Sequence, residues 1–227
     1  SLAKEKEVLG FYRSSHPLAE YQSTLATYCS HTTGQAAKLS HRSEVMLGGM
    51  ISAVKLAHTK NPKPGSPSRY AMFDLEDMEG SMRCILWPEP FQHCGEMVKA
   101  DAILAVVGAI DKRGGGDEAN LIVNELIPLE ELPKRFTRGV SLRLLENAHG
   151  AAGVEQLYEI LRGYPGTCSL NLTIYFDDGT RAHCPCKFRV EINEEMRRRV
   201  EELLGPENVL LLASPQRNGS ASRSNGR

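Results

Sequence analysis

Residues 70–87 read YAMFDLEDMEGSMRCILW, and this stretch decides which kind of fold the chain adopts. Side chains of residues 70–75 alternate between two faces, which is the period of a β-strand, and we interpret residues 81–87 as a second strand. The intervening residues 77–80 are acidic and end in glycine, which favours a turn. We therefore predict a β-hairpin that directs one face of each strand toward a core.

Three aromatic side chains of this hairpin can be assigned to a face. Phe73 belongs with Ala71 and Leu75 to an apolar set, so we assign it to the core. Tyr70 has the opposite parity and is assigned to the surface. Trp87, the only tryptophan of the chain, ends a strand before a proline, and we assign it to core packing.

The hairpin is the middle of a longer pattern of strands. An apolar run that contains Gly48 and Gly49 precedes it, and this glycine pair predicts a strand that bends sharply. We predict strands over residues 45–56, 70–75, 81–87, 102–110 and 120–127, and a helix over residues 88–99. Three strands, a helix and two strands are the order of the five-stranded Greek-key barrel known as the oligonucleotide-binding (OB) fold.

The remaining segments complete an α+β fold class. Residues 140–213 show helix and strand patterns in the order β-α-β-β-α-β, which we interpret as a split βαβ arrangement whose last helix is capped by Asn193. The predicted segments are a helical connector at 1–43, the OB-fold nucleic-acid-binding domain at 44–128, a linker at 129–139, an α+β subunit-interaction domain at 140–213 and a disordered tail at 214–227.

Composition excludes several classes of function. The chain has 227 residues and a formal net charge of −1, so no global basic field draws it onto nucleic acid. No apolar run approaches the roughly 18 residues that a membrane-spanning helix needs, and we expect a cytoplasmic protein without a membrane partner. The six cysteines fall mostly in apolar stretches, which predicts reduced, buried thiols.

Candidate catalytic and metal-binding groups have simpler interpretations. His183-Cys184-Pro185-Cys186 lacks the second ligand pair that a zinc site needs. The carboxylates of the hairpin are interpreted as turn and surface residues; they are Asp74, Glu76, Asp77 and Glu79. We therefore assign no catalytic, cofactor-binding or metal-binding residue.

The barrel region is acidic overall, but its basic residues are clustered. Residues 44–128 contain eight Lys or Arg and twelve Asp or Glu, a net charge of −4. The basic residues bracket the first loop and begin the last loop, which are the loops that flank the binding groove of OB barrels. Single-strand binding needs such cations together with a stacking ring. We predict a nucleic-acid-binding site formed by Lys55, Lys60, Lys63, Arg69, Tyr70, Lys112 and Arg113.

A second informative stretch, residues 5–18, reads EKEVLGFYRSSHPL and resembles a segment of bacterial DNA polymerase III alpha subunits that precedes an OB barrel. Residues 47–51, 71–77 and 87–89 resemble that family's barrel, and the region beyond residue 128 is similar chiefly in its order of elements. The chain has no initiating methionine and opens within a helical pattern. The resemblance implies a C-terminal fragment of such a subunit.

The resemblance also implies a role for each region. The family's catalytic domains lie upstream, so this fragment would carry no catalytic residue and no cofactor, although the parent protein would be a DNA-directed DNA polymerase. The barrel would hold single-stranded template DNA without reading its bases. The last domain would dock the tau subunit of the clamp loader and lie near the sliding clamp.

Other functions remain open on the sequence. The acidic barrel also suits a protein-interaction module that binds no DNA. Similar barrels in class II aminoacyl-tRNA synthetases share the glycine pair, so a tRNA-binding barrel of a synthetase-like enzyme is a further alternative. An error-prone paralogue of the alpha subunit is another. Arg197, Arg198 and Arg199 form either a solvated helix face or a docking surface.

Overall fold

The computed structural model describes residues 16–114 and 118–213. The chain divides after Leu132 into two compact units, which we call the barrel unit and the second unit. Most of the motif at residues 5–18 and the whole tail at residues 214–227 lie outside the described residues.

Two short helices precede the barrel. Helix α1 spans Gln22–Tyr28 and α2 spans Thr33–Ala36. The Thr32 hydroxyl accepts a hydrogen bond from the Gln35 amide at 3.2 Å, and the Gln35 side chain accepts one from the Thr32 amide at 3.0 Å. This reciprocal cap satisfies donors that a helix start leaves free, and it stabilises a helix of a single turn.

The barrel unit confirms the predicted OB fold. Its elements are β1 at Glu44–His58, β2 at Arg69–Glu76, β3 at Ser81–Leu86, α3 at Pro88–Cys94, β4 at Ile103–Asp111 and β5 at Asn120–Pro128. The strands close into a barrel in the order β1-β2-β3-β5-β4, since β1 pairs with both β2 and β4. Strand β3 runs parallel to β5 and seals the other side.

Alternation along the strands fills the barrel with apolar side chains. On β2, Ala71, Phe73 and Leu75 are fully buried, which confirms the assignment of Phe73 to the core. Their ladder partners on β3 are buried as well: Leu86, Cys84 and Met82. Burying a side chain of the size of leucine or phenylalanine contributes roughly 1.5–3 kcal/mol, so this inner layer fixes the faces of both strands.

The glycine pair of β1 lies within a continuous ladder. Gly48 and Gly49 pair with β4 without interruption, and the sharp bend predicted at this pair stays a prediction. A Cβ atom on Gly48 would collide with the Leu25 side chain of α1, and one on Gly49 with the Glu76 carbonyl oxygen. The pair therefore permits close approach of two neighbouring elements. The irregularity of β1 comes after Ser52, where the register with β2 shifts.

The boundary between the units contains a helix. Helix α4 spans Glu131–Phe136, within the segment 129–139 that was predicted as a linker. The next strand, β6, begins at Thr137. The chain therefore has regular structure through most of this segment.

The second unit has the predicted β-α-β-β-α-β order. Its elements are β6 at Thr137–Leu145, α5 at Glu146–Arg162, β7 at Pro165–Tyr175, β8 at Arg181–Pro185, α6 at Glu194–Leu204 and β9 at Val209–Ala213. They form a four-stranded sheet in the order β8-β7-β6-β9. Strands β6 and β7 are parallel neighbours, so the βαβ unit is not split and that part of the prediction was wrong.

Helix α6 illustrates how the second unit forms its core. The Asn193 side chain accepts a hydrogen bond from the Met196 amide at 2.8 Å, which confirms the predicted cap. Met196, Val200 and Leu204 recur at helical spacing and are buried. They belong to the same apolar cluster as Val140 of β6, so the helix is held on the sheet by one face.

Candidate nucleic-acid interface

The outer face of β2 and β3 is the surface on which OB barrels bind oligonucleotides. Because side chains alternate along β2, those of opposite parity to the buried Phe73 are directed outward, and they include Tyr70, Met72 and Asp74. Lys55 of β1 lies opposite Met72 in the ladder and shares this face. The outer face thus combines an aromatic ring, an apolar side chain and a cation.

Tyr70 and Trp87 form an aromatic pair at the end of the outer face next to the loop between β1 and β2. The ring centroids lie 5.2 Å apart, and the planes are inclined by 34°. Trp87 is 42% exposed, so its assignment to core packing was wrong. Leu86 is buried opposite Ala71, and the residue that follows it therefore lies on the outer face beside Tyr70. The alternation of β3 was the signal in the sequence that the prediction missed.

The first loop, residues 59–68, joins β1 to β2 and carries two of the predicted cations. Lys60 and Lys63 are exposed in this loop, and Lys55 is exposed on the strand that leads into it. None of the three forms an ion pair with another described residue. Their charge is therefore free to attract a phosphate, with no local carboxylate to neutralise it.

Arg69 lies beside the outer face rather than on it. It has the same parity as the buried Ala71, and its guanidinium carbon is 5.5 Å from the centroid of the Phe91 ring on α3. With Leu56 and Lys99, these two residues line an open groove of about 560 Å³ between the first loop and α3. Arg69 thus precedes Tyr70 in the sequence, but its guanidinium lies against α3 and not on the outer face with the other predicted site residues.

The last loop, between β4 and β5, carries two basic residues, of which one is held in an ion pair and the other is not. Arg113 forms a two-pronged ion pair with Asp111, with Nε–Oδ1 and Nη2–Oδ2 distances of 2.9 and 3.0 Å. Hydrogen bonds from Arg113 lower the pKa of Asp111 to about 2, so this carboxylate stays charged at neutral pH. Lys112 forms no ion pair within the described part of the loop, which leaves out residues 115–117. Lys112 is therefore better placed than Arg113 to contact a phosphate.

The acids on the outer face have partners of their own. Asp74 forms an ion pair with Arg83 of β3, at 2.5 Å between Oδ1 and Nε. Glu76 accepts a hydrogen bond from the Ser52 hydroxyl at 2.8 Å. The negative charge that faces an incoming strand is thus partly neutralised by Arg83.

The carboxylates of the hairpin turn hold α2 against the barrel. Asp77 accepts hydrogen bonds from the backbone amide and the hydroxyl of Thr33, at 2.6 and 2.7 Å. Glu79 accepts one from the Thr32 hydroxyl at 2.6 Å. These bonds support the structural interpretation of the turn acids, since their oxygens are committed to donors of the chain itself.

The cysteines differ in how far they are buried. All six are free, and Cys84 and Cys94 are buried as predicted. The prediction of buried thiols was wrong for the four half-buried ones: Cys29, Cys168, Cys184 and Cys186. Burial raises the pKa of both thiols, and burial together with Asp77 raises the pKa of Cys29 to about 12. A thiol with a raised pKa stays protonated at neutral pH and is a poor nucleophile or metal ligand.

Two further kinds of site are absent from the described ranges. No group of three or more His, Cys, Asp or Glu side chains is arranged there to hold a metal ion. No helix within residues 16–114 and 118–213 combines the length and apolarity needed to cross a membrane.

The three consecutive arginines of α6 are paired locally. Arg197 and Arg198 each form an ion pair at 2.7 Å with the glutamate four residues further along the helix. Arg199 lies over the Tyr164 ring, 5.8 Å from its centroid. A solvated helix face accounts for all three side chains.

Known proteins resemble this chain in its barrel and over most of its length. Residues 45–129 match the tRNA anti-codon family model, described as an OB-fold nucleic acid binding domain. Curated proteins named DNA polymerase III subunit alpha are 26% identical over 92% of the chain in Neisseria meningitidis serogroup A and in Bacillus subtilis. The protein of that name in Aquifex aeolicus is 30% identical over 78% of the chain. The chain spans 18%, 18% and 15% of the lengths of these three relatives.

Proposed function

We propose that this chain, which is homologous to a segment of DNA polymerase III subunit alpha, is a non-catalytic C-terminal region of such a subunit and holds single-stranded template DNA on its barrel. The observation that carries the proposal is the aromatic pair on the outer face of β2 and β3, in which Trp87 is 42% exposed and Tyr70 is half-buried. This pair lies on the face that OB barrels use for oligonucleotides, and lysines of the two flanking loops lie beside that face.

The chemistry of such a site follows from its two kinds of side chain. Bases of any sequence stack on Tyr70 and Trp87, because every base has a π-face. Lys55, Lys60 and Lys112 attract the phosphates between those bases. Since neither contact distinguishes one base from another, the site holds template DNA without reading its sequence. Polymerisation itself is assigned to the part of the subunit outside this chain.

The first test is fluorescence anisotropy of a labelled poly-dT of about 20 nucleotides, titrated with the chain at low and moderate salt. A phosphate-dominated site must weaken steeply as salt rises. The chain's single tryptophan adds an internal probe, because stacking of a base on Trp87 quenches its emission. Absence of binding at low salt, with unchanged emission, would reject the proposal.

The same titrations separate two rival functions. A protein-interaction module predicts no salt-dependent DNA binding, and the net charge of −4 over residues 44–128 favours that rival. A tRNA-binding barrel predicts tighter binding of folded tRNA than of poly-dT at equal salt. Competition between the two nucleic acids on one sample decides between them.

The second unit is proposed to dock the tau subunit of the clamp loader, in the cytoplasm and near the sliding clamp. The homology to DNA polymerase III subunit alpha extends over this unit, since it covers 92% of the chain. The unit also has a compact core of its own and exposed apolar side chains suited to a protein partner. Binding of purified tau to the full chain, measured by biolayer interferometry, tests this role.

A further inference from the structure

The second unit exposes four large apolar side chains that follow one another across its surface. Phe176, Val154, Tyr158 and Phe188 are 37%, 38%, 53% and 38% exposed. Val154 and Tyr158 lie one turn apart on α5. The Tyr158 and Phe188 rings meet edge to face with centroids 6.1 Å apart. We call these four residues the apolar strip.

One end of the apolar strip opens into a cup. Val154 and Phe176 line this open cavity of about 190 Å³ together with Leu144 and Ile174 of the sheet. The rest of its lining is also apolar or glycine, apart from Glu146. A cup of this composition accommodates one large apolar side chain and offers it few polar contacts.

Glu146 lines the cup, and three further carboxylates lie next to its lining residues in the sequence: Glu155 after Val154, and Asp177 and Asp178 after Phe176. We call these four residues the acidic rim. Glu146 accepts a hydrogen bond from the Asp177 amide at 2.9 Å, which fixes the turn between β7 and β8 beside the cup. Asp178 is next in that turn, and hydrogen bonds from Thr180 lower its pKa, so it is charged at neutral pH. Glu155 is exposed beside Val154 on α5. No ion pair with a described residue is formed by the carboxylates of the acidic rim: Glu146, Glu155, Asp177 and Asp178.

The other end of the apolar strip has the opposite charge. Lys187 and Arg189 are exposed on either side of Phe188. Neither pairs with a carboxylate in the part of the chain that the structure describes. The strip therefore runs from an acidic end at the cup to a basic end at Phe188.

We infer that the apolar strip is a docking surface for a segment of a partner protein that inserts an apolar side chain into the cup. The acidic rim selects basic residues beside that anchor, and the basic end selects acidic residues near Phe188. The same rim repels nucleic acid and anionic lipid, so a protein segment is the occupant that the charges favour. The inference rests on the proposed docking role of the second unit and names the surface responsible.

The test measures binding of purified tau to the full chain and to variants by biolayer interferometry. Removing the two exposed apolar groups of α5 with Val154→Ser and Tyr158→Ser together is expected to weaken binding about thirtyfold or more, the loss at an interface hot spot. Leu210→Ser is the matched control, because Leu210 is 43% exposed but points to the opposite face of the sheet. Its affinity for tau is expected to be unchanged.

A charge variant examines the acidic rim separately. Glu155→Lys is expected to weaken binding about 3- to 10-fold and to make it less sensitive to salt, since an attractive charge is replaced by a repulsive one. The thermal midpoint of each variant is compared with that of the unaltered chain. If the double variant is unfolded, Tyr158→Ser alone takes its place, because that side chain is 53% exposed.

The outcomes distinguish the inference from the function it rests on. If the strip variants still bound tau with unchanged affinity, the apolar strip would be excluded as the docking surface, and tau docking by the chain would stand. No binding by the unaltered chain would overturn both tau docking and the strip as its surface, without touching DNA binding by the barrel. Loss confined to the strip and rim variants supports the inference.

Discussion

At the scale of single residues, Trp87 lies on the outer face because it follows the buried Leu86 in the sequence. Leu86 completes the inner layer of the barrel, and Trp87 is the first residue past the end of β3. The ring of Tyr70, which has the same outward parity, lies 5.2 Å from it between centroids. The two adjacent rings thus form one aromatic surface.

Replacing that ring gives the most direct prediction. Trp87→Ala is expected to weaken poly-dT binding about 5- to 150-fold, the equivalent of roughly 1–3 kcal/mol for one stacked base. The salt dependence is expected to stay the same, because no cation is removed. Anisotropy titrations at several salt concentrations check both statements, with Tyr158→Ala as an exposed aromatic control in the second unit. Unchanged affinity would remove the aromatic pair from the binding site.

Asp111 determines whether the Arg113 guanidinium is available to a phosphate. Its ion pair holds the Arg113 guanidinium, so Asp111→Asn is expected to free that cation for a phosphate. Binding of poly-dT should become tighter, and its logarithmic salt slope steeper by about 0.7, the value for one single-strand phosphate. Asp178→Asn has the same change of charge in the second unit and is expected to have no effect. If both variants tightened binding equally, the effect would be one of net charge and not of a freed Arg113.

The pH dependence of this pair has a defined sign. The pKa of Asp111 is lowered to about 2, so the carboxylate is favoured in the folded chain. The contribution of the pair is fully present above the ordinary carboxyl pKa near 3.8 and is lost as the pH falls toward 2. Titrations of poly-dT between pH 5 and 8 are therefore expected to show no step from this group.

At the scale of elements, the barrel separates its functions between strands and loops. The strands β2 and β3 hold the rings rigidly, because their inner faces are buried. The two loops place lysines on either side without local carboxylate partners in the described residues. An acidic barrel can thus present a local cationic path, and net charge alone is a poor guide to its binding.

Charge reversal in both loops tests that separation. Lys60→Glu combined with Lys112→Glu is expected to weaken single-strand binding and to reduce its logarithmic salt slope by about 1.4, because two single-strand phosphate contacts are lost and replaced by repulsion. Lys134→Glu with Lys187→Glu makes the same change of charge elsewhere and is the control. Anisotropy at a series of salt concentrations measures the slope. An unaltered slope would exclude the loops from the binding path.

At the scale of the whole molecule, two units with separate cores carry two proposed roles. The barrel core and the core of the second unit are distinct clusters. A change on the surface of one unit therefore leaves the packing of the other unaltered. Binding of DNA and binding of a protein partner should respond to different substitutions in one chain.

This independence is a prediction for the full chain. Trp87→Ala is expected to reduce DNA binding and leave tau affinity within about twofold, since the two surfaces belong to units with separate cores. The pair of Val154→Ser and Tyr158→Ser is expected to do the reverse. Both ligands are measured on each variant by anisotropy and interferometry. A variant that loses both activities while keeping its thermal midpoint would contradict the separation.

Periodicity along the chain was enough to predict the order of strands in both units and the burial of Phe73. Alternation reports which face a side chain takes, and turn residues report where a strand ends, so both properties are local. The cap at Asn193 is local for the same reason. The homology to DNA polymerase III subunit alpha was likewise visible in short motifs, including one that lies mostly outside the described residues.

Contacts that residue type and local pattern do not fix were decided only by the folded chain. The pairing of Tyr70 with Trp87 depends on strand register, and the close packing at Gly48 depends on where α1 lies. The neutralisation of Arg113 by Asp111 depends on a loop geometry that residue type does not fix. The adjacency of β6 and β7 is a choice between topologies with the same order of elements. Each of these contacts is a property of three-dimensional packing. The local sequence pattern allows several partners for each residue, and the packing of the folded chain determines which partner it has.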